Sequence, residues 1–375
     1  MKSHIFFTVG LTVFGTAFVL AQAQAPAPTP SNLQAANDPR YAEVIAKCKT
    51  PPPGRGGGAA GGARAGGGGA APGAAAPGAA APAAGGGRGP APAPAGPAEY
   101  TVTAIPGVIA AGQRWTTVYQ TTGNNADGII ASDDGGLLLA QNDNGAVIKL
   151  DGKNQVTTVH RNTITGGALS RSSKGALFVA SRGLEMAVTQ LEPQRKVHAN
   201  SYQGDPLVCL GGINDVTADS RGGVYFTLGG VYYADPKGVV TAYGEGLRTN
   251  GIVLSPDEKT LYVTNQGAVA AFEVRPDGSL ANQREFVTMP SGSGDGLAVD
   301  AAGRLYVTLV SGPPGLHVFA PDGKHLGLIP APRNLITSAF AGPDKKTLYA
   351  VANDRRTVDV YAIPMVAEGF KGRAK

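Results

Sequence analysis

The sequence predicts an all-β fold: a six-bladed β-propeller closed by an N-terminal strand. Three observations carry that prediction. A unit repeats six times, the texture is strand and turn with no long helical periodicity, and the last repeat lacks a strand that lies spare ahead of the first. Each unit reads as an apolar strand, an Asp/Gly turn, an L-Y-V-T-like strand, a third strand, a D-G turn and a fourth strand. Aligned on the second strand, the copies have landmarks at Leu137, Leu177, Val224, Leu261, Leu305 and Leu348, at intervals of 40, 47, 37, 44 and 43 residues. Four-stranded units of this length are propeller blades. Runs such as Val224-Tyr225-Phe226-Thr227 and Leu305-Tyr306-Val307-Thr308, bounded by Gly, Asp, Asn and Pro, supply the strand signal. After Leu348 only Thr357-Val358-Asp359-Val360-Tyr361 remains, so the last blade lacks its outer strand. Gln113 to Tyr119 is free to fill that place and remove two sheet edges.

The 375 residues divide into four regions. Lys2 followed by an apolar run from Ile5 to Leu20 and Ala21-Gln22-Ala23 reads as a signal peptide over residues 1–23. Export to the periplasm or outside the cell follows as the expectation. Residues 24–50 form a short N-terminal segment in which Asp38 to Cys48 has room for two helical turns. Residues 51–98 are almost wholly Gly, Ala and Pro, a composition with too little side-chain surface to offset the entropy of ordering, and read as a disordered linker. Residues 100–365 are the propeller. The net charge of +5 is scattered, with no basic run of the kind that binds nucleic acid, and no later segment is long and apolar enough for membrane insertion after signal cleavage. The two cysteines, Cys48 and Cys209, define no framework. Cys48 falls outside the expected folded region, and Cys209 reads as a small apolar strand residue.

Inner propeller strands line the central axis, so residues at their starts share one mouth. A fixed offset from each landmark, one residue longer in the fourth and sixth copies, gives Asp127, Gly167, Asn214, Asn250, Asp295 and Thr337. Two carboxylates and two amides from separate blades make a hard-oxygen set. Such a set suits Ca2+ best, with Mg2+, Mn2+ or Zn2+ as further candidates. The competing reading is that Asp127-Gly128, Asn250-Gly251 and Asp295-Gly296 are simply turn formers. His160, His198, His317 and His325 show no ligand spacing, and there is no G-x-S-x-G.

The segment Asn250-Gly251 through Ser255-Pro256-Asp257 to Leu261-Tyr262-Val263 resembles a conserved stretch of the gluconolactonase, regucalcin (senescence marker protein) and luciferin-regenerating enzyme family. So do Asp295-Gly296 through Asp300 and Gly303 to Leu305-Tyr306-Val307, and Asn214-Asp215-Val216 with Gly222-Gly223-Val224-Tyr225. The resemblance spans about residues 113–363. It implies a metal held by Asp127, Asn250 and Asp295, with Asn214 and Asn250 near the substrate and Asp295 in the catalytic role. It implies a metal-dependent hydrolase that opens a lactone at the central channel. Two positions depart from the family pattern. The first-blade acid is Asp127 rather than Glu, one methylene shorter. An Arg carried by some members two residues before the N-D asparagine is Gly212 here. The alternative is a non-catalytic propeller that binds a ligand or a protein.

Overall fold

The computed structural model describes residues 33–49, 100–122, 125–354, 357–373 and 375. The expected signal peptide and linker lie outside the described residues. Six four-stranded antiparallel sheets follow one another around a ring. Blades 1 to 5 have inner strands Ala126–Ala131, Gly166–Arg171, Val216–Ala218, Thr249–Leu254 and Ser293–Val299. Blade 6 consists of Thr337–Ala341, Thr347–Asn353 and Thr357–Pro364, and its outer strand is Thr116–Thr122 from ahead of blade 1. Thr116 pairs with Ala362 and Thr122 with Thr357, so the closing strand predicted from the spare segment is present, shifted three residues along the chain. All six landmarks fall on second strands.

Burial explains why the sequence shows so little two-residue alternation. In blade 1 the inner three strands are buried on nearly every residue, whereas the outer strand Val156–Arg161 is almost wholly exposed. An inner strand is covered on both faces by neighbouring blades, so both of its faces are apolar. Clusters such as Ile129, Leu139, Leu169 and Val179 lock adjacent blades together.

Two segments outside the ring pack on it. Residues 33–49 form a strap containing the short helix Tyr41–Ala46. Ala35 is buried, and Tyr41, Val44 and Ile45 pack against a cluster that includes Leu207, Val208 and Phe226. A disulfide joins Cys48 to Cys209 across 161 residues of sequence. This corrects the expectation for both cysteines. Cys48 belongs to the folded body, and Cys209 sits in the 3-10 turn Leu207–Cys209 rather than in a strand. Spacing could not show the pair, because only the folded ring brings the strap to that turn. The second segment, from Met365, crosses the far ends of the inner strands. Val366 and Ala367 donate to the Val108 carbonyl, and the buried Arg373 guanidinium donates to the carbonyls of Leu254 and Ser255. No helix among the described residues is long and apolar enough to cross a membrane.

Candidate functional site

All six residues of the predicted column lie at the starts of the inner strands. In four blades the local backbone is the same. Between Ala126 and Ile129 the chain uses three steps where its partner, Gln141 to Leu139, uses two. The same one-residue excess recurs at Gly166 to Leu169, Thr249 to Ile252 and Gly294 to Leu297. These are β-bulges, which re-aim a side chain and end regular pairing. The extra residues are Asp127-Gly128, Gly167-Ala168, Asn250-Gly251 and Asp295-Gly296. The D-G and N-G pairs therefore sit inside strands and not in turns.

The glycine in each pair has a packing cause. A Cβ on Gly251 would lie 2.2 Å from the Asp295 carbonyl oxygen of the next blade. On Gly128 it would lie 2.7 Å from the Gly167 carbonyl oxygen, and on Gly296 2.7 Å from the Thr337 Cα. Only a residue without a side chain lets adjacent inner strands approach this closely. The final threonine of the L-Y-V-T strands ties these backbones together. Thr264 Oγ1 donates to the Asp295 carbonyl at 2.9 Å and accepts from the Gly251 N–H at 2.6 Å. Thr308 donates to the Gly296 carbonyl at 2.9 Å, and Thr227 to the Asn250 carbonyl.

The side chains divide into two kinds. Asp127 is bound: its Oδ2 accepts from Arg182 Nη2 at 2.6 Å. The Asp295 carboxylate and the amides of Asn214 and Asn250 are half-buried and make no hydrogen bond among the described residues. Asp295 is surrounded by protein although solvent still reaches part of it, and its pKa is raised well above the carboxylate range. Burial is the main cause, and the Asp127 and Asp215 carboxylates add to it. Arg182 and Lys375 act in the opposite direction.

Sequence reasoning missed three charged residues here. Asp215 is buried beside Asn214. Its Oδ2 accepts from the Ile252 N–H at 2.9 Å, and its Oδ1 pairs with Lys375. Lys375 comes from the segment crossing the far ends of the strands, so no repeat could reveal it. Arg182 follows the second strand of blade 2, Leu177–Ser181, and its guanidinium covers Gly167, where a Cβ would lie 2.0 Å from Cζ. The glycine in an otherwise polar column was the available signal, since a missing side chain leaves room for one from elsewhere.

The donors are two carboxylates and two amides, with no group of three or more His, Cys, Asp or Glu placed for a metal among the described residues. Unpaired carboxylate and amide oxygens are the chemistry a hard cation requires. His317 is buried, bonded through Nδ1 to His325 at 3.0 Å and through Nε2 to Ser291 at 3.2 Å, so it stays outside the column.

A profile of the SMP-30/Gluconolactonase/LRE-like region matches residues 127–353, from the first bulge to the last second strand. The chain belongs to this family. Among relatives of the SMP-30/gluconolactonase group, a gluconolactonase of Zymomonas mobilis is 30% identical over 214 residues, covering 48% of this chain and 58% of that protein. The lactonase drp35 of Staphylococcus saprophyticus is 33% identical over 138 residues, covering 32% of this chain and 42% of that protein. The chain thus matches less than two thirds of the length of either relative. In three dimensions, a gluconolactonase from Xanthomonas campestris superposes with a TM-score of 0.60 at 23% identity, covering 73% of this chain and 98% of that one. A calcium-binding regucalcin from Agrobacterium tumefaciens gives 0.53 at 18% identity, covering 68% and 96%. At these identities the superpositions show a shared fold.

Proposed function

We propose that the chain is a lactonase whose reaction takes place at the mouth where the inner strands begin, and that a divalent cation, Ca2+ foremost, is its cofactor. The observation that carries this reading is the set of half-buried, hydrogen-bond-free oxygens on Asp295, Asn214 and Asn250. These oxygens are only half-buried and are claimed by no protein donor among the described residues, so they are available to a ligand. Family membership and the lactonase relatives support the substrate class. The calcium-binding relative supports the cation.

Asp127, Asn250 and Asp295 would hold the cation, which supplies a Lewis acid for the lactone carbonyl and lowers the pKa of a water beside it. Asp295 accepts the proton of the attacking water. Burial raises its pKa in the metal-free protein, and a cation held by the same carboxylate would act in the opposite direction. Asn214 and Asn250 orient the ring through amide groups that carry no charge, so the product carboxylate meets less repulsion than four acids would create. Asp127 is the weaker ligand, because it is short and because Arg182 already occupies one of its oxygens. The Cys48–Cys209 bond supports export, since disulfides persist in oxidising compartments.

The test is hydrolysis of a lactone panel, glucono-1,5-lactone included, by full-length protein after chelation and after re-addition of each cation. The expected result is activity lost with EDTA and restored by Ca2+. Full activity in EDTA would remove the cation from the reading. No hydrolysis with any cation would leave the alternative of a binding propeller.

A further inference from the structure

Arg182 is held in place more firmly than an incidental ion pair requires. Its backbone N–H and that of Gly183 both donate to the Ile164 carbonyl, at 3.0 and 3.1 Å. Ile164 and its neighbour Thr165 have φ of 54° and 58°, and Asn162 has 57°. Two consecutive β-branched residues in the left-handed region are costly, on the order of 1–3 kcal/mol each, and persist only where the surroundings enforce them. The enforcing neighbour is the strap. Thr165 Oγ1 donates to the Leu33 carbonyl at 3.1 Å, and Ala35 N–H donates to the Arg182 carbonyl at 3.3 Å. The other end of the strap is fixed by the Cys48–Cys209 bond and by Lys49 N–H donating to Asp205 Oδ1 at 3.0 Å.

The guanidinium then lies over Gly167 and reaches Asp127 and the Asn214 carbonyl, while its Nε is buried without a partner among the described residues. With the Asn142 amide in its satisfied orientation, Nη1 also donates to that oxygen at 3.0 Å. Arg182 thus contacts three residues of the column, Asp127, Gly167 and Asn214, placing a fixed positive charge beside the oxygens that await a ligand.

We propose that Arg182 is a positioning residue that pairs with Asp127 in place of a divalent cation, and that the disulfide-anchored strap fixes it there. This rests on the cation reading given above. The guanidinium opposes loading in two ways: it holds an oxygen of Asp127, and it repels a second positive charge across a short distance. The affinity of the mouth is therefore set partly by a segment far from the column in sequence.

Calorimetry with CaCl2 alone, on chelated full-length protein, tests this. Arg182→Met is expected to tighten Ca2+ binding by at least about tenfold, the scale of removing one nearby charge. Gly167→Ala keeps Arg182 but displaces its guanidinium, and is expected to reproduce the gain even if Arg182→Met folds poorly. Cys48→Ser with Cys209→Ser is expected to tighten binding about threefold in the native background and to change nothing when added to Arg182→Met, the non-additivity of residues acting through one group. Unchanged or weaker binding in both Arg182→Met and Gly167→Ala overturns the proposal, and an equal effect of the cysteine changes in both backgrounds removes the strap from it. Asp295→Asn separates this from the cation reading. If the wild type binds Ca2+ and Asp295→Asn does not, the site stands whatever the Arg182 variants do. If the wild type binds none, a gain in Arg182→Met upholds both, and no binding in either protein overturns both.

Discussion

The two sides of the mouth use the same backbone device with opposite results. At blades 1 and 2 the bulge presents Asp127, and a guanidinium from the next blade neutralises it. At blades 4 and 5 the bulges present Asn250 and Asp295, whose backbones are tied by Thr227 and Thr264 while their side chains stay free. One side has its charge answered by the protein, and the other has only its backbone answered. A repeated fold can place equivalent carboxylates without making them equivalent ligands, because what each one meets depends on the neighbouring blade.

The largest test of that difference is Asp295→Asn. Removing the unpaired charge is expected to weaken Ca2+ binding by at least about a hundredfold and to remove lactone hydrolysis with it, while circular dichroism stays unchanged. Calorimetry and a coupled pH-indicator assay check both. Retained affinity would mean that the free side is not the ligand side.

Gly251→Ala attacks the same side through its backbone. The new Cβ would meet the Asp295 carbonyl, so the bulge must move. Overpacking of this kind costs about 1–3 kcal/mol, seen as a fall in Tm of about 2–4 °C per kcal/mol. Affinity for Ca2+ is expected to fall about tenfold as Asp295 shifts. A variant with lower Tm and native affinity would show that the bulge serves packing alone.

Asp127→Asn sharpens the comparison from the other side. Its charge is already paired, so the loss of Ca2+ affinity is expected to be about fivefold, well below that of Asp295→Asn. Equal losses in the two variants would break the distinction between the sides.

The smallest effect lies in the metal-free protein. Asp295 has its pKa raised in the folded state, so its ionised form opposes folding at neutral pH, and that penalty is relieved as pH falls through the raised value. Without metal, Asp295→Asn is expected to melt at least about 2 °C above the wild type at neutral pH. The gap should close on acidification. A constant gap across pH, followed by calorimetric scans, would show that the Asp295 carboxyl titrates alike in the folded and unfolded chains.

The sequence by itself determined the ring and the column. Six copies of one unit fix the blade count, and a constant offset within each copy fixes where Asp127, Asn214, Asn250 and Asp295 stand, because equivalent positions in a repeat occupy equivalent places in the fold. Even the closing strand was legible, as a segment without a partner at one end and a gap at the other. What the tertiary structure alone decided is everything that crosses between copies. The Arg182–Asp127 pair, the Lys375–Asp215 pair and the Cys48–Cys209 bond each join residues whose separation in sequence carries no period. The glycines show the same boundary. The sequence contains Gly128, Gly251 and Gly296 but leaves a turn and a close approach equally open, and only the distance to the next blade's backbone chooses between them. Periodicity reports what each unit does for itself, while contacts between units depend on how the ring closes.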